Sequence, residues 1–304
     1  MTTRSFDKAP STAPLMLKAV LPAIPVIGGL PGIKHGSSTV PDLVLERRGV
    51  STDPKHLETY NEVCEFSRGD TLPATYPHMA AFALHMTLMT DTAFPFAPVG
   101  LVHLRNRITQ HRPIGVDESF DISVTTADLR PHPKGRLIDL LTSASIDGDV
   151  LWEEITTLFS RGRGSGPGGG AGPRAAHDRE AGPPPLAGVE APAGVVHWKL
   201  PGDLGRRYGA VSGDRNPIHL YPITAKAFGF PRNIAHGMWT KARALGALQN
   251  KLPDAFTVDV EFKKPIFLPS TVVFGSRADG DVITLGVTSA SKPSTHLVGR
   301  VSLA

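Results

Sequence analysis

The apolar residues in the second half of the chain fall into two periods. Met238, Ala242, Leu245, Leu248 and Leu252 recur at spacings that place them on one face of a helix. The runs FTVDVEFKKPIFL (256–268), STVVFGSRA (270–278), DVITLGVTSAS (281–291) and HLVGRVSL (296–303) then alternate apolar with polar positions. They are rich in β-branched residues and break at Gly, Asp and Pro, which predicts four strands after the helix. The first half repeats this order. His78 and Met79 open an apolar helix, AAFALHMTLM (80–89), and LVHLRNRITQHRPI (101–114), SFDISVTTADL (119–129), RLIDLLTSASI (136–146) and LWEEITTLFS (151–160) read as strands. The segment RNRITQHRPIGVDESFDISV (105–124) matches DVEFKKPIFLPSTVVFGSRA (259–278) as a strand, a Pro turn and a second strand. A helix on four or more antiparallel strands is an α+β layer covering one sheet face, and the other face or edge needs a partner. Two tandem copies supply that partner within the chain, as a pseudo-dimer of related halves.

Residues 161–194 are dominated by Gly, Pro and Ala and lack any apolar period. Such a composition buries too little surface to offset its ordering entropy, so it reads as a disordered linker. The expected organisation is an N-terminal arm (1–39), a first domain (40–160), the linker (161–194) and a second domain (195–304). Within the arm, MLKAVLPAIPVIGGLPGI (16–33) carries Lys18 inside its apolar run, with Pro22 and Pro25 close behind. A continuous hydrophobic helix is excluded there, and a short helix and an extended arm lying on the body are predicted. No run approaches the roughly 20 apolar residues that span a bilayer.

Composition narrows the partners more than the fold. At 304 residues, 40% hydrophobic and 20% charged, the chain is an ordinary globular sequence with material for a sizeable core and two domains. The net charge of +4 comes from scattered Lys and Arg, which favours phosphate-bearing small ligands over nucleic acid. The single cysteine, Cys64, excludes an internal disulfide and suits a reducing compartment, with the cytoplasm as the default. As a small buried hydrophobe Cys64 needs no chemical role.

Candidate chemistry concentrates in Tyr208–Gly237. Asp214-Arg215-Asn216-Pro217-Ile218-His219 packs an acid, an amide, a proline and a histidine together, and His236-Gly237 follows. On a continuous helix Asp214 and His219 would diverge, and Pro217 could not occupy a helix interior, so the pair is expected on a tight loop. There Asn216 and Pro217 fix the backbone while a carboxylate and an imidazole converge, an arrangement suited to moving protons. Ser212 and Tyr208 either touch the site, with the Ser212 hydroxyl reaching Asp214, or cap and pack the preceding short helix.

YGAVSGDRNPIH (208–219), AFGF (227–230) and IAHGM (234–238) resemble the hydratase signature of the MaoC-like hot-dog proteins, which include (R)-specific enoyl-CoA hydratases. With TDTAFPF (90–96) and ITQHRPI (108–114), the chain from about Leu43 onward resembles the double hot-dog 3-hydroxyacyl-thioester dehydratases of mycobacteria and related actinobacteria. Its linker is longer and richer in glycine than theirs.

The resemblance implies a double hot-dog: two tandem hot-dog domains forming an internal pseudo-dimer, with which a further homodimer is compatible. It implies reversible dehydration of (R)-3-hydroxyacyl thioesters of coenzyme A or acyl carrier protein. His219 would exchange the C2 proton and Asp214 would handle the hydroxyl or water, with Gly237 as the backbone oxyanion site. Asn216, Ser212 and Pro217 would support them, and His236 would buttress the turn. Met238 and Trp239, with Phe228 and Phe230, would line an acyl tunnel or be plain core. Lys241, Arg243, Lys263 and Lys264 would meet phosphates or be solvated surface charges. No metal is implied, and no redox cofactor, because no Gly-rich dinucleotide loop follows a strand.

The first half departs from the signature. Its counterpart segment, YNEVCEFSRGDTL (60–72), lacks Asn-Pro-x-His, and Met79 stands where Gly237 would be, so this half is expected to be inert. In related double hot-dog enzymes such a loss opens room for a longer acyl chain. The competing readings are a hot-dog thioesterase, which would direct water at C1, and a non-catalytic acyl-binding or assembly subunit.

Overall fold

A computed structural model of the protein describes residues 2–20, 39–162 and 186–303. Most of the expected linker and the later part of the N-terminal arm lie outside the described residues. Two apolar helices form the axes of the structure. α3 (Tyr76–Met89) begins with Pro77 in its first turn, where a missing N–H costs nothing, and it is buried on almost every side. α7 (Gly237–Gly246) buries Met238, Trp239, Ala242 and Leu245 in the same way. The predicted helix extends to Leu252, but α7 stops at Gly246 and a 3-10 turn, Gln249–Lys251, follows. Gly246 lies against the backbone of Cys64 and Glu65, so close that a Cβ would stand 3.0 Å from the Glu65 carbonyl oxygen. That contact closes α7 against the end of α2 (Pro54–Cys64).

The sheet has eleven strands. In chain order the first six are β1 (Thr2–Phe6), β2 (Leu43–Val50), β3 (Leu101–Gln110), β4 (Phe120–His132), β5 (Gly135–Ile146) and β6 (Asp149–Arg161). β7 (Val196–Leu200), β8 (Phe256–Phe262), β9 (Ser270–Asp279), β10 (Val282–Ser289) and β11 (Thr295–Leu303) complete it. They run in the order β1-β2-β4-β5-β6-β3-β8-β11-β10-β9-β7. From β2 to β3 and from β7 to β8 the order is the same read from opposite ends: a duplicated hot-dog, with two related five-stranded halves joined edge to edge. The join is antiparallel, β3 on β8, with Asn106 opposite Val260. Pairing these edges leaves neither half an open strand at the centre of the molecule.

Three strands were not legible as strands in the sequence. β2 and β7 sit beyond the long alternating runs, and β1 adds a parallel edge to β2. The arm thus supplies a strand as well as the expected short helix, α1 (Thr12–Val20), whose Ala19 packs with Phe82 and Met86 of α3. Cys64 is buried within the main core, and burial pushes its thiol pKa up.

The seam carries a buried polar network. The Glu154 carboxylate accepts hydrogen bonds from His78 at 2.8 Å and from the Asn106 amide at 2.7 Å. Lys241, on α7, donates to the Asn106 side chain, to its carbonyl at 3.2 Å and to the Val258 carbonyl at 3.3 Å. Burial pushes the Glu154 pKa up, but the electrostatic effect of the adjacent His78, with the hydrogen bonds from His78 and Asn106, holds the carboxyl well below the usual range, at about 2. Burial pulls the Lys241 ammonium down to about 7. Arg105 of β3 pairs with Asp259 of β8 across the same seam, its Nε donating at 2.8 Å.

Removing one partner of a buried ionic network leaves an uncompensated polar group, a loss of about 3–5 kcal/mol. Glu154→Ala, which strips His78 and Asn106 of their acceptor, is therefore expected to lose stability in that range in urea unfolding. A loss below about 1 kcal/mol would show that the network does not hold the seam.

Candidate active site

The site begins on α4 (Leu204–Ser212), a helix whose two glycines share a face one turn apart. A Cβ on Gly205 would lie 1.9 Å from the His219 carbonyl oxygen, and one on Gly209 would lie 2.8 Å from that of Asp214. Only a helix bare on this face lets the 214–219 segment pack against it. Gly213, in the left-handed region at φ 75°, ends the helix and turns the chain toward Asp214.

Local hydrogen bonds then fix the segment. Ser212 Oγ accepts the Asp214 N–H at 3.2 Å, and Asp214 Oδ1 accepts the Asn216 N–H at 3.1 Å. Asn216 Oδ1 accepts the Ile218 N–H at 3.4 Å and caps a one-turn helix, α5 (Pro217–Leu220). The expected loop is thus partly helical: Pro217 stands at the first helical position, where proline is tolerated, and His219 follows on the same turn. A second short helix, α6 (Pro222–Ala227), leads on toward α7.

His219 is oriented from its far side. Its Nδ1 lies 2.8 Å from the Ile234 carbonyl, which can only accept, so Nδ1 carries the proton and Nε2 the lone pair. Asn233 donates to the His219 carbonyl at 3.4 Å, and the Ile234 N–H returns to the Ile218 carbonyl at 3.1 Å. His236 stacks on His219 with ring centres 3.7 Å apart and itself lies on Tyr208 at 4.9 Å. His236 Nε2 is 3.0 Å from the Asp214 carbonyl oxygen and 3.7 Å from its carboxylate. A carboxylate oxygen of Asp214 and ring nitrogens of His219 and His236 lie within 4.8 Å of one another.

Burial lowers the His219 pKa, partly offset by Asp214, and lowers that of His236 to about 3. Both rings are therefore neutral near pH 7, and His219 presents a basic Nε2. Gly237 follows His236 as the first residue of α7, where backbone N–H groups have no partner within the helix. A Cβ there would meet the Phe262 ring at 3.1 Å, so a side chain would force that ring to shift by a few tenths of an ångström.

A cavity of about 490 Å³ adjoins this segment. Its walls come mostly from the first half and the arm: Thr12, Val50, Tyr76, Met79, Phe82 and Phe120. Ser212 and Gly213, directly before Asp214, close one side of it.

Met238, Trp239 and Phe228, the expected acyl-binding residues, do not line this cavity. Met238 is core, and Trp239 is buried with its indole N–H donating to the Val63 carbonyl at 2.9 Å. Phe228 caps α6. Lys241 is 1% exposed at the seam, so it reaches neither solvent nor a surface phosphate. Arg243 is committed to Glu65 and to the Trp198 ring. Lys263 pairs with Glu261 at 2.7 Å. In the first half, His78 lies inside α3 and binds Glu154, whereas His236 caps α7 and faces the Asp214 segment. Sequence reasoning missed Gly205 and Gly209; their spacing of four within LGRRYGAVS was the available signal.

Residues 197–292 match the family model described as a MaoC like domain. The chain is 36% identical to the 3-hydroxyacyl-thioester dehydratase X of Mycobacterium tuberculosis, over 96% of this chain and 98% of that protein. It is 27% identical to an enoyl-CoA hydratase of the same organism, over 84% and 88% of the two chains. The crystal structure of the M. tuberculosis dehydratase HtdX superposes with a TM-score of 0.72 at 33% identity, covering 85% of this chain and 98% of that one.

In an open helix interior Gly→Ala stabilises by about 1 kcal/mol. At Gly205 the added methyl meets the His219 carbonyl, and overpacking of this kind costs roughly 1–3 kcal/mol. Gly205→Ala is accordingly expected to unfold at a lower urea concentration than the wild type. A higher midpoint would mean that α4 and the 214–219 segment are not in close contact.

Proposed function

The chain belongs to the MaoC-like dehydratase family, and from that premise we propose that Asp214, His219 and the Gly237 N–H form its active centre for reversible dehydration of (R)-3-hydroxyacyl thioesters to trans-2-enoyl thioesters. The enzyme is a carbon–oxygen lyase of acyl-thioester metabolism. The observation that carries the assignment of residues is the His219–His236 stack at 3.7 Å, which brings a neutral imidazole, a carboxylate and the start of α7 to one point.

The reaction follows from the tautomer. Nε2 of His219 takes the C2 proton, and the electron pair moves toward the thioester oxygen, where the Gly237 N–H and the positive end of α7 stabilise the developing charge. The C3–O bond then breaks with its electrons leaving on oxygen, and the C2–C3 double bond forms. Asp214 positions the departing hydroxyl, which takes up the proton collected from C2 and leaves as water. The pair ends in the protonation state in which it began, and hydration runs the same steps backward. Asp214 and His219 are coupled closely enough to hold this proton jointly.

Division of labour between the halves supports the substrate side of the reading. Residues 195–304 carry the chemistry, and residues 40–160, without the Asp/His segment, leave the cavity that takes the acyl chain. At 490 Å³ it falls within the range of small-molecule sites. Coenzyme A and acyl carrier protein are the proposed carriers. Among the described residues no helix is long and apolar enough to cross a membrane. A free, buried Cys64 accords with the cytoplasm as the working compartment.

Incubation with crotonyl-CoA, following enoyl absorbance and free thiol together, tests the reaction. Loss of absorbance without thiol is expected, and Asp214→Asn or His219→Ala should each lower kcat by roughly 10²–10⁴. Thiol release without hydration would make the protein a thioesterase. The pH profile of kcat/KM supplies a second check. Because burial depresses the His219 pKa, the neutral base persists below the ordinary histidine pKa of about 6.5, and the acid limb should fall below that pH. An acid limb centred above 7 would remove His219 as the base.

A further inference from the structure

Arg47 stands where a hydrophobic residue belongs. In the register of β2 on β4, Leu45 opposes Val124, Arg47 opposes Ile122 and Val50 opposes Phe120. Directly opposed residues share a sheet face, and every other member of this set is buried. Arg47 therefore points inward, toward α3, and it lines the cavity. Its Nε is buried and makes no hydrogen bond among the described residues. The neighbouring charges are engaged elsewhere: Glu46 pairs with Arg48 at 3.5 Å.

The other polar groups of the cavity divide in the same way. Asp53 caps α2 by accepting the Lys55 N–H at 2.9 Å. His56 spends both ring nitrogens, on the Tyr76 hydroxyl at 2.8 Å and on the Val211 carbonyl at 2.7 Å. The Thr52 hydroxyl, by contrast, is buried with no partner, and it lines the cavity with Arg47. The Arg47 Nε and the Thr52 hydroxyl are thus left unused on one wall, whereas both nitrogens of His56 are engaged.

We propose that this wall recognises an anionic oxygen group on the far end of the acyl chain, a terminal carboxylate received by the Arg47 guanidinium and the Thr52 hydroxyl. The inference rests on the dehydratase reading, which places the thioester at Asp214 and His219 and sends the tail into the cavity. A carboxylate matches the planar guanidinium and gives the buried Nε donor an acceptor. A coenzyme phosphate presents the same chemistry, but Arg47 lies on the sheet face beneath α3, on the tail side of Ser212 and Gly213. A substrate with apolar carbons between two oxygenated ends also suits walls that mix Met79, Phe82 and Phe120 with Arg47 and Thr52.

The test compares hydration of trans-2-decenoyl-CoA with that of the same thioester carrying a carboxylate on its terminal carbon, in the wild type, Arg47→Leu and Thr52→Val. The wild type is expected to favour the carboxylated substrate in kcat/KM. Arg47→Leu should reduce the ratio of the two values by roughly ten- to a hundredfold, as loss of a charge-assisted hydrogen bond does, and Thr52→Val by less. An unchanged ratio overturns the proposal. So does an equal loss on both coenzyme A thioesters that disappears with pantetheine thioesters, which would put a coenzyme phosphate at Arg47. Arg47→Leu should melt no lower than the wild type, and a lower melting temperature with an unchanged ratio would assign Arg47 to folding instead. If neither thioester is hydrated, the dehydratase reading fails on its own. Calorimetric binding of decanoyl-CoA and its terminally carboxylated analogue then decides the site: a preference lost in Arg47→Leu upholds it, and equal binding sinks it.

Discussion

One antiparallel ladder, β3 against β8, holds the two halves in a single body, and the site depends on it. Each half alone would expose a strand edge and the flank of an apolar helix. Joining the edges satisfies the backbone and brings α4 of one half against α2 and α3 of the other. The polar network at the seam adds direction to this join. Lys241 reaches from α7 to Asn106 of β3, and Asn106 in turn binds Glu154, so the helix that starts at Gly237 is tied to the opposite half. Hydrophobic contact would permit sliding between the halves; a buried ammonium with three carbonyl-type acceptors does not.

With the halves fixed, duplication becomes a division of roles. In the second half the chain takes residues 213–236 to travel from α4 to α7, long enough for α5, α6 and the Asp214–His219 segment. In the first half only residues 65–75 separate α2 from α3. The shorter path has no counterpart of α5 or α6, and α3, which follows it, lines the cavity through Tyr76, Met79 and Phe82. A helix without side chains on one face is what the longer path needs in return, since the His219 and Asp214 carbonyls approach α4 at Gly205 and Gly209.

The long alternating runs and the two apolar helices were legible because period and burial agree in them. β2 escaped because Glu46, Arg47 and Arg48 interrupt its alternation, and β7 because five residues carry too little period. β1 has almost no apolar content, and only its pairing to β2 makes it a strand. Local chemistry was readable in the Asp214–His219 motif, whereas the cavity wall, assembled from five separate stretches of chain, was not. Of the two alternatives for Met238 and Trp239, the structure places both in the core, for a physical reason. Helical spacing identifies a buried face but not what buries it, and α2 does so here through the Val63 carbonyl. Lys241 was read as surface because lysine usually is; its burial becomes sensible only once Asn106 and Glu154 are beside it.

Lys241 and Arg47 show how two inward cations can mean different things. Lys241 has an amide oxygen and two carbonyls around its ammonium, with Glu154 and Asp259 nearby, so its desolvation is compensated within the fold. Arg47 sits on a sheet face among Leu45, Ile122 and Val124 with its Nε unsatisfied. An unmet guanidinium donor costs stability that a leucine would not, because no partner offsets its desolvation. The compensation must come from outside the folded chain, from solvent in the cavity or from a ligand that enters it. A ligand held by an apolar stem and an anionic end would supply both the hydrophobic contact the cavity offers and the acceptor that the Arg47 Nε lacks, and the chemistry of the tail, not its length alone, would then govern which substrates enter.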